Sequence, residues 1–279
     1  MKIGFYTKPE MAGEVDFGCL TQGFSDAAEG IRALPLDLRG DTYFGSYDGA
    51  LEFAKAHADG AKAAVVFTDG AGGENRFVRE LSSLLRCPVA GGGAARTFGS
   101  TGQGFCAGHG DIAVCVINAD NVSCRPQMQN LHTNILGECV LELDGLRTVT
   151  KINGVDAARF LREQKEKQGF APTDFERLTL STPEHVNAHL SEVDGVIRSG
   201  RDLQENMLLR CVVPGAYQET FEQFYRQDNS LVFGCAGLKA ILDRPFASTC
   251  AGAFLFGEIC ALQDGSDFGN LMLSRLIFE

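Results

Sequence analysis

At 279 residues, the chain is long enough for two domains of ordinary size or one large one. A hydrophobic share of 44% with 22% charged residues excludes a disordered or fibrous protein. The formal net charge of −11 repels phosphate backbones and anionic headgroups, so neither nucleic acid nor a membrane surface is an expected partner.

In chain order, Lys2 to Thr7 reads as a first strand and not as a secretion signal, because no uninterrupted apolar run or cleavage site accompanies it. Cys19 to Ile31 is predicted helical, Leu34 to Leu38 a strand and Ser46 to His57 a helix. A stronger unit follows. Ala63 to Phe67 is a short apolar strand that runs into Thr68-Asp69-Gly70-Ala71-Gly72-Gly73. Asn75 to Leu85 then carries Phe77, Val78, Leu81, Leu84 and Leu85 at helical spacing. Pro88-Val89-Ala90 resumes the sheet and leads into Gly91-Gly92-Gly93. Gln103 to Ala107 and Asp111 to Ile117 are predicted to form a hairpin turned at Gly108-His109-Gly110, and Leu136 to Leu143 extends the sheet.

From about Leu146 the pattern restarts, which divides the chain into 1–145 and 146–279. Thr148 to Ile152 is a strand, Asn153-Gly154 a turn and Val155 to Lys167 a helix, while Gln168 to Ser191 is the most loop-like segment. Asp194 to Arg198 and Met207 to Val213 are predicted strands, Ala216 to Tyr225 a helix and Ser230 to Phe233 a strand. No apolar stretch approaches the roughly 20 residues that cross a bilayer, so a cytoplasmic location is expected. The ten cysteines then read as reduced thiols, most of them small core residues. Glycine, 33 of 279 residues against a usual share of about 7%, points to tight turns and close backbone approaches.

The chain also repeats itself. Val66 to Ala71 and Val232 to Gly237 are each an apolar strand ending in small residues. Each is followed by a connector, a proline and a small-residue run, Pro88 to Ala94 in one case and Pro245 to Gly252 in the other. The expected fold is α/β, with mixed, largely antiparallel sheets flanked by helices and two related halves.

Taken together, Val66-Phe67-Thr68-Asp69-Gly70, Pro88 to Ala94 with Phe98, Leu231 to Gly237, Ala251 to Ile259 and Asn270 resemble the N-terminal and C-terminal parts of the FIST family of sensory proteins, over nearly the whole chain. The resemblance implies an intracellular module that senses an amino acid or similar small polar metabolite; some members of the family bind haem and sense nitric oxide. Because Glu279 directly follows the last family strand, the signal is expected to pass to a separate signalling protein, such as a histidine kinase or another output module. Leu238 stands where family members carry an arginine, and the connector Lys239 to Arg244 is shorter than their helix; both depart from the pattern.

The candidate ligand-binding residues are Asp69, Gly70, Gly91, Gly92, Gly93, Cys235, Gly257 and Glu258. The loop from Thr68 to Gly73 lies between a strand and a helix start, where backbone N–H groups favour an anion and Asp69 would suit an ammonium. Asp69 as an N-cap is the plain alternative. The glycine run permits either a ligand or a neighbouring strand to come close. Glu258 places a carboxyl among Phe254, Phe256 and Ile259, either facing water or forming a pocket wall with a shifted pKa. Cys235 is either an exposed thiolate or a core thiol. His185 and His189, four apart, read as decorating a short helix, and no cluster with metal-ligand spacing is found. If haem is bound, His109 and His132 are the candidate ligands. A third reading is an enzyme that uses Cys235 as nucleophile or Asp69 and Glu258 as acid and base.

Overall fold

The computed structural model describes residues 2–5, 13–16, 40–68, 73–93, 112–118, 120, 122–226, 229–243, 251–255, 257–262 and 265–279. The predicted helix over 19–31, the strand over 34–38 and the hairpin arm over 103–107 lie outside them, as do Asp69, Gly70 and His109. Strands β1 (Lys2–Phe5) and β2 (Gly13–Asp16) pair antiparallel. A first unit follows: β3 (Gly40–Gly45), α1 (Tyr47–Ala56), β4 (Ala63–Thr68), α2 (Glu74–Leu85), β5 (Val89–Gly93) and β6 (Ile112–Ile117). Strand β7 (Cys124–Asn130) opens a second unit, which is interrupted by β8 (Asn134–Asp144), β9 (Thr148–Ile152), β10 (Val155–Asp156), α3 (Ala157–Lys167), β11 (Thr179–Ser181), β12 (Asn187–Ala188), β13 (Leu190–Val193), β14 (Val196–Ser199) and β15 (Leu208–Val213). It resumes with α4 (Tyr217–Phe224), β16 (Ser230–Cys235), a 3-10 helix (Ala236–Ile241), β17 (Ala251–Leu255), β18 (Glu258–Leu262), β19 (Gly265–Gly269) and β20 (Met272–Phe278).

The two units share one topology. In the first, β5 pairs parallel with β4, β4 antiparallel with β6, and β6 antiparallel with β3. In the second, β17 pairs parallel with β16, β16 antiparallel with β20, and β20 antiparallel with β7. A helix precedes the central strand in each case, α1 before β4 and α4 before β16. The repeat legible in the sequence is therefore a repeat of sheet order. The units are also tied together: β18 leaves the second and pairs with β5 of the first, carrying β19 with it.

Alternation along the strands stacks the layers. Ala63, Val65 and Phe67 of β4 pack with Leu231, Phe233 and Cys235 of β16 in one core, where the Phe67 and Phe233 rings meet edge-on at 5.8 Å. The other face of β4, Ala64 and Val66, packs under α1 and α2 through Ala50, Phe77, Val78, Leu81 and Leu85. Strand β4 is buried on both faces, as its unbroken apolar run requires. The Ser46 hydroxyl caps α1 by accepting from Gly49 N, and the Asp156 carboxylate caps α3 by accepting from Arg159 N.

The inserted segment forms its own sheet in the order β12-β11-β15-β8-β9-β14-β13. Its end strands β12 and β13 are separated in sequence by His189 alone, so the sheet curls around a core of Leu141, Val149, Ile152, Leu180 and Leu209, with Leu161 of α3 packed against it. The expected boundary at 145 falls in the turn between the paired strands β8 and β9; the architectural division is instead an insertion within the second unit. The segment 168–191, expected to be loop-like, contributes β11, β12 and the start of β13, because its polar side chains find partners inside, as when the Thr179 hydroxyl donates to Ala188 O. Asp194 and Gly195, expected to open a strand, form the β13–β14 turn with φ of 53° and 78°, the conformation that Asp-Gly hairpins favour. The connector after β16 is a 3-10 helix whose Leu238 is a core residue. No described helix is long and apolar enough to cross a membrane.

Candidate functional site

Two buried polar clusters lie beside the β18–β19 hairpin. The first unites most of the sequence-predicted site. Glu258 is the register partner of Gly92, Gly93 N donates to Gly257 O at 3.0 Å, and Cys235 lies next to Glu258. The glycines are required by the chain itself: a Cβ at Gly91 (φ +132°) would sit 1.8 Å from Val66 O, and one at Gly92 would sit 2.1 Å from Gly257 O. Close strand approach, and not a backbone surface offered to a ligand, accounts for the run.

Glu258 is fully buried, and its Oε2 accepts from Met272 N at 3.2 Å. Burial raises its carboxyl well above the ordinary range, outweighing the hydrogen bonds that favour the carboxylate. Burial, reinforced by Glu258, likewise raises the Cys235 thiol. This favours a carboxylic acid beside a thiol and removes the thiolate that a nucleophilic Cys235 would need. Around them, Asn130 and Asn187 exchange side-chain amide hydrogen bonds of 2.7 and 3.0 Å, and Asn270 Oδ1 accepts from His189 N. His132 Nε2 donates to Glu176 O at 2.7 Å while Nδ1 accepts from Asn187 Nδ2 at 3.4 Å. Both ring nitrogens are thus engaged, so His132 does not offer the axial ligand expected of it for haem. Burial pushes His132 and His189 down to about 4, with the charges of His132 and Lys165 adding to the effect on His189. His189 is a buried strand-junction residue and does not decorate a helix.

The second cluster is ionic and was not foreseen. Glu74, at the start of α2, is buried and pairs with Arg147 Nη2, while Arg147 Nε donates to Asp202 Oδ1 at 2.6 Å. The second oxygen of Asp202 accepts from Gly73 N at 3.1 Å. Asp202 N donates to Asn75 Oδ1, and Asn75 Nδ2 donates to Asp267 Oδ1 at 2.7 Å. Asp267 Oδ2 accepts from Arg79 at 3.3 Å and from Arg201 at 2.7 Å. Burial pushes the Asp267 carboxyl up, but the Arg201 charge, the Asn75 and Arg201 hydrogen bonds and Arg79 outweigh it and hold it below its usual value. The cluster ties α2 and β19 of the first sheet to the β8–β9 turn and to the segment after β14.

Its accounts do not balance. Arg201 is only 2% exposed, yet Nε and Nη1 have no acceptor among the described residues. The same is true of Arg147 Nη1, and of the hydroxyls of Thr68 at the end of β4 and Ser266 in β19. A buried charged donor left without an acceptor costs about 1–3 kcal/mol or more, so three such guanidinium donors in one cluster need a reason.

Gly91, Gly92, Gly93, Cys235, Gly257 and Glu258, grouped as ligand-binding from the sequence, lie beside one another in the fold, whereas Glu74, Asn75, Arg147, Arg201, Asp202 and Asp267 were not among the candidates. The available signal was Asp267 inside a strand-forming run ahead of Phe268; the other five read as ordinary surface or turn residues. Among the described residues no group of three His, Cys, Asp or Glu side chains could hold a metal ion. The fold and clusters define an α/β protein of two topologically matched sheet units with an inserted curled sheet. No family model, curated protein or solved structure matches the chain.

Proposed function

We propose that the chain is a small-ligand sensor of the FIST type, taking an amino acid or similar small polar metabolite and signalling through a separate partner protein. The observation that carries this reading is the ionic cluster of Arg79, Arg147 and Arg201 with Glu74, Asp202 and Asp267, drawn from distant segments to the contact between the inserted sheet and the first sheet. Burying so many charges is weak evidence for stability, because desolvation offsets the Coulomb gain. A ligand bearing both signs of charge supplies a reason for them. Its binding at that contact would favour one arrangement of the inserted sheet over another, a population shift that a partner reads.

The test is a thermal-shift screen of the natively purified protein with the free amino acids and related metabolites, together with mass analysis of any small molecule released on denaturation. A saturable rise in Tm or a stoichiometric co-purified metabolite is expected, since binding to the native state stabilises by mass action. If no compound shifts Tm and none co-purifies, this reading fails.

A further inference from the structure

We propose that Arg201, assisted by Arg147, is the receptor for a carboxylate group of the ligand. The inference rests on the small-ligand reading above and specifies its anionic end. It follows from counting donors and acceptors. Both oxygens of Asp202 are taken, by Arg147 Nε and Gly73 N. Both oxygens of Asp267 are taken twice over, Oδ1 by Asn75 and Phe268 N, Oδ2 by Arg79 and Arg201. Each of these carboxylate oxygens already accepts a hydrogen bond, whereas Arg201 Nε and Nη1 and Arg147 Nη1 are buried donors lacking an acceptor among the described residues. What complements the cluster is an acceptor.

Formal charge narrows the choice. Arg79, Arg147 and Arg201 bring three positive charges against the three carboxylates Glu74, Asp202 and Asp267. A single carboxylate group therefore brings one negative charge into the buried cluster, whereas phosphate brings about two on one centre, at a higher desolvation cost; in a dicarboxylate the second charge sits a carbon chain away from the first. Guanidinium geometry also suits a planar carboxylate, to which it presents parallel N–H donors. Arg201 is held for this role by Asp267 on one side and by its own backbone N donating to Ser199 Oγ at 3.2 Å on the other.

The probe is succinate, with the uncharged diamide succinamide as control and inorganic phosphate as competitor chemistry, each at matched ionic strength on the full chain. Succinate is expected to raise Tm saturably and succinamide is not. Arg201→Lys keeps the charge beside Asp267 but deletes the donor fork, and it should weaken succinate at least about tenfold. Arg147→Lys should weaken it less. Equal shifts from succinate and succinamide, or a stronger shift from phosphate, overturn the proposal on wild-type protein alone, whether or not a variant folds. If succinate binds but no amino acid does, the anion site stands and the sensor reading falls. If an amino acid binds and its primary amide binds equally well, the sensor reading stands and this inference falls.

Discussion

The two polar clusters beside the β18–β19 hairpin solve the same problem in opposite ways. Around Glu258 each ionisable group is pushed toward its neutral form: the Glu258 carboxyl and Cys235 thiol upward, His132 and His189 downward. Around Arg201 the two resolved shifts run the other way: Asp267 is pushed down by its guanidinium neighbours and Arg147 is pushed up by Glu74 and Asp202, each against the effect of burial. The first cluster seals the place where β18 crosses from one sheet unit to the other, and a neutral network suits a seal because it carries no desolvated charge. The second lies at the contact with the inserted sheet and keeps unmatched donors. The first is neutral; the second is ionic and holds three buried guanidinium donors without an acceptor among the described residues.

Substitutions should separate the two. The largest effect is expected at the crossing itself: Gly91→Ala forces a methyl against Val66 O at φ +132° and should destabilise by about 4 kcal/mol or more, measured by denaturant unfolding. Next, Arg147→Met removes the guanidinium that pairs with the buried Glu74 carboxylate, and a loss of about 3 kcal/mol is expected, at the low end for a broken buried pair because Arg147 retains 16% side-chain exposure. Glu258→Gln keeps an acceptor for Met272 N and removes only the ionisation, so at pH 5 it should change stability by less than about 1 kcal/mol.

The same contrast sets the pH profile. His132 and His189 are held near 4 when folded against a usual 6.5, so in that window the unfolded chain binds their protons and stability falls as pH is lowered. Glu258 is raised above 4.5 when folded, so it binds a proton in the folded state alone, and its contribution is lost as pH rises through its folded pKa. A Tm series from pH 4 to 9 should rise on the acid side, with two histidines opposing one carboxyl, and decline on the alkaline side. Glu258→Gln should flatten the alkaline decline and leave the histidine limb in place. An unchanged alkaline limb in that variant contradicts a neutral Glu258.

How much of this was legible depended on the kind of signal. Helices α1 and α2 and strands β4 and β16 could be read from caps, 3.6-residue periodicity and unbroken apolar runs, because local chemistry and burial agree there. The duplication was legible as a repeat of apolar run, connector and proline, but the parallel pairing of each central strand with the next one was not. The inserted sheet was not, because β11 and β12 are short and rely on Thr179 and Asn187 making buried hydrogen bonds that composition scores as loop. At the site, the glycines and Glu258 stood out against apolar neighbours. Arg147 and Arg201 did not, since an arginine in or beside a turn looks solvated until the fold encloses it, and their partners Glu74 and Asp267 lie far away in sequence.

The most direct test of the central claim is a side-chain nitrogen-15 NMR titration with succinate, following the arginine Nε–H resonances and assigning that of Arg201 by its disappearance in Arg201→Lys. The account predicts that the Arg201 Nε–H signal moves saturably as an acceptor arrives, with Arg147 following. An Arg201 signal that stays fixed while succinate is bound, or that fails to move at saturating succinate, contradicts it.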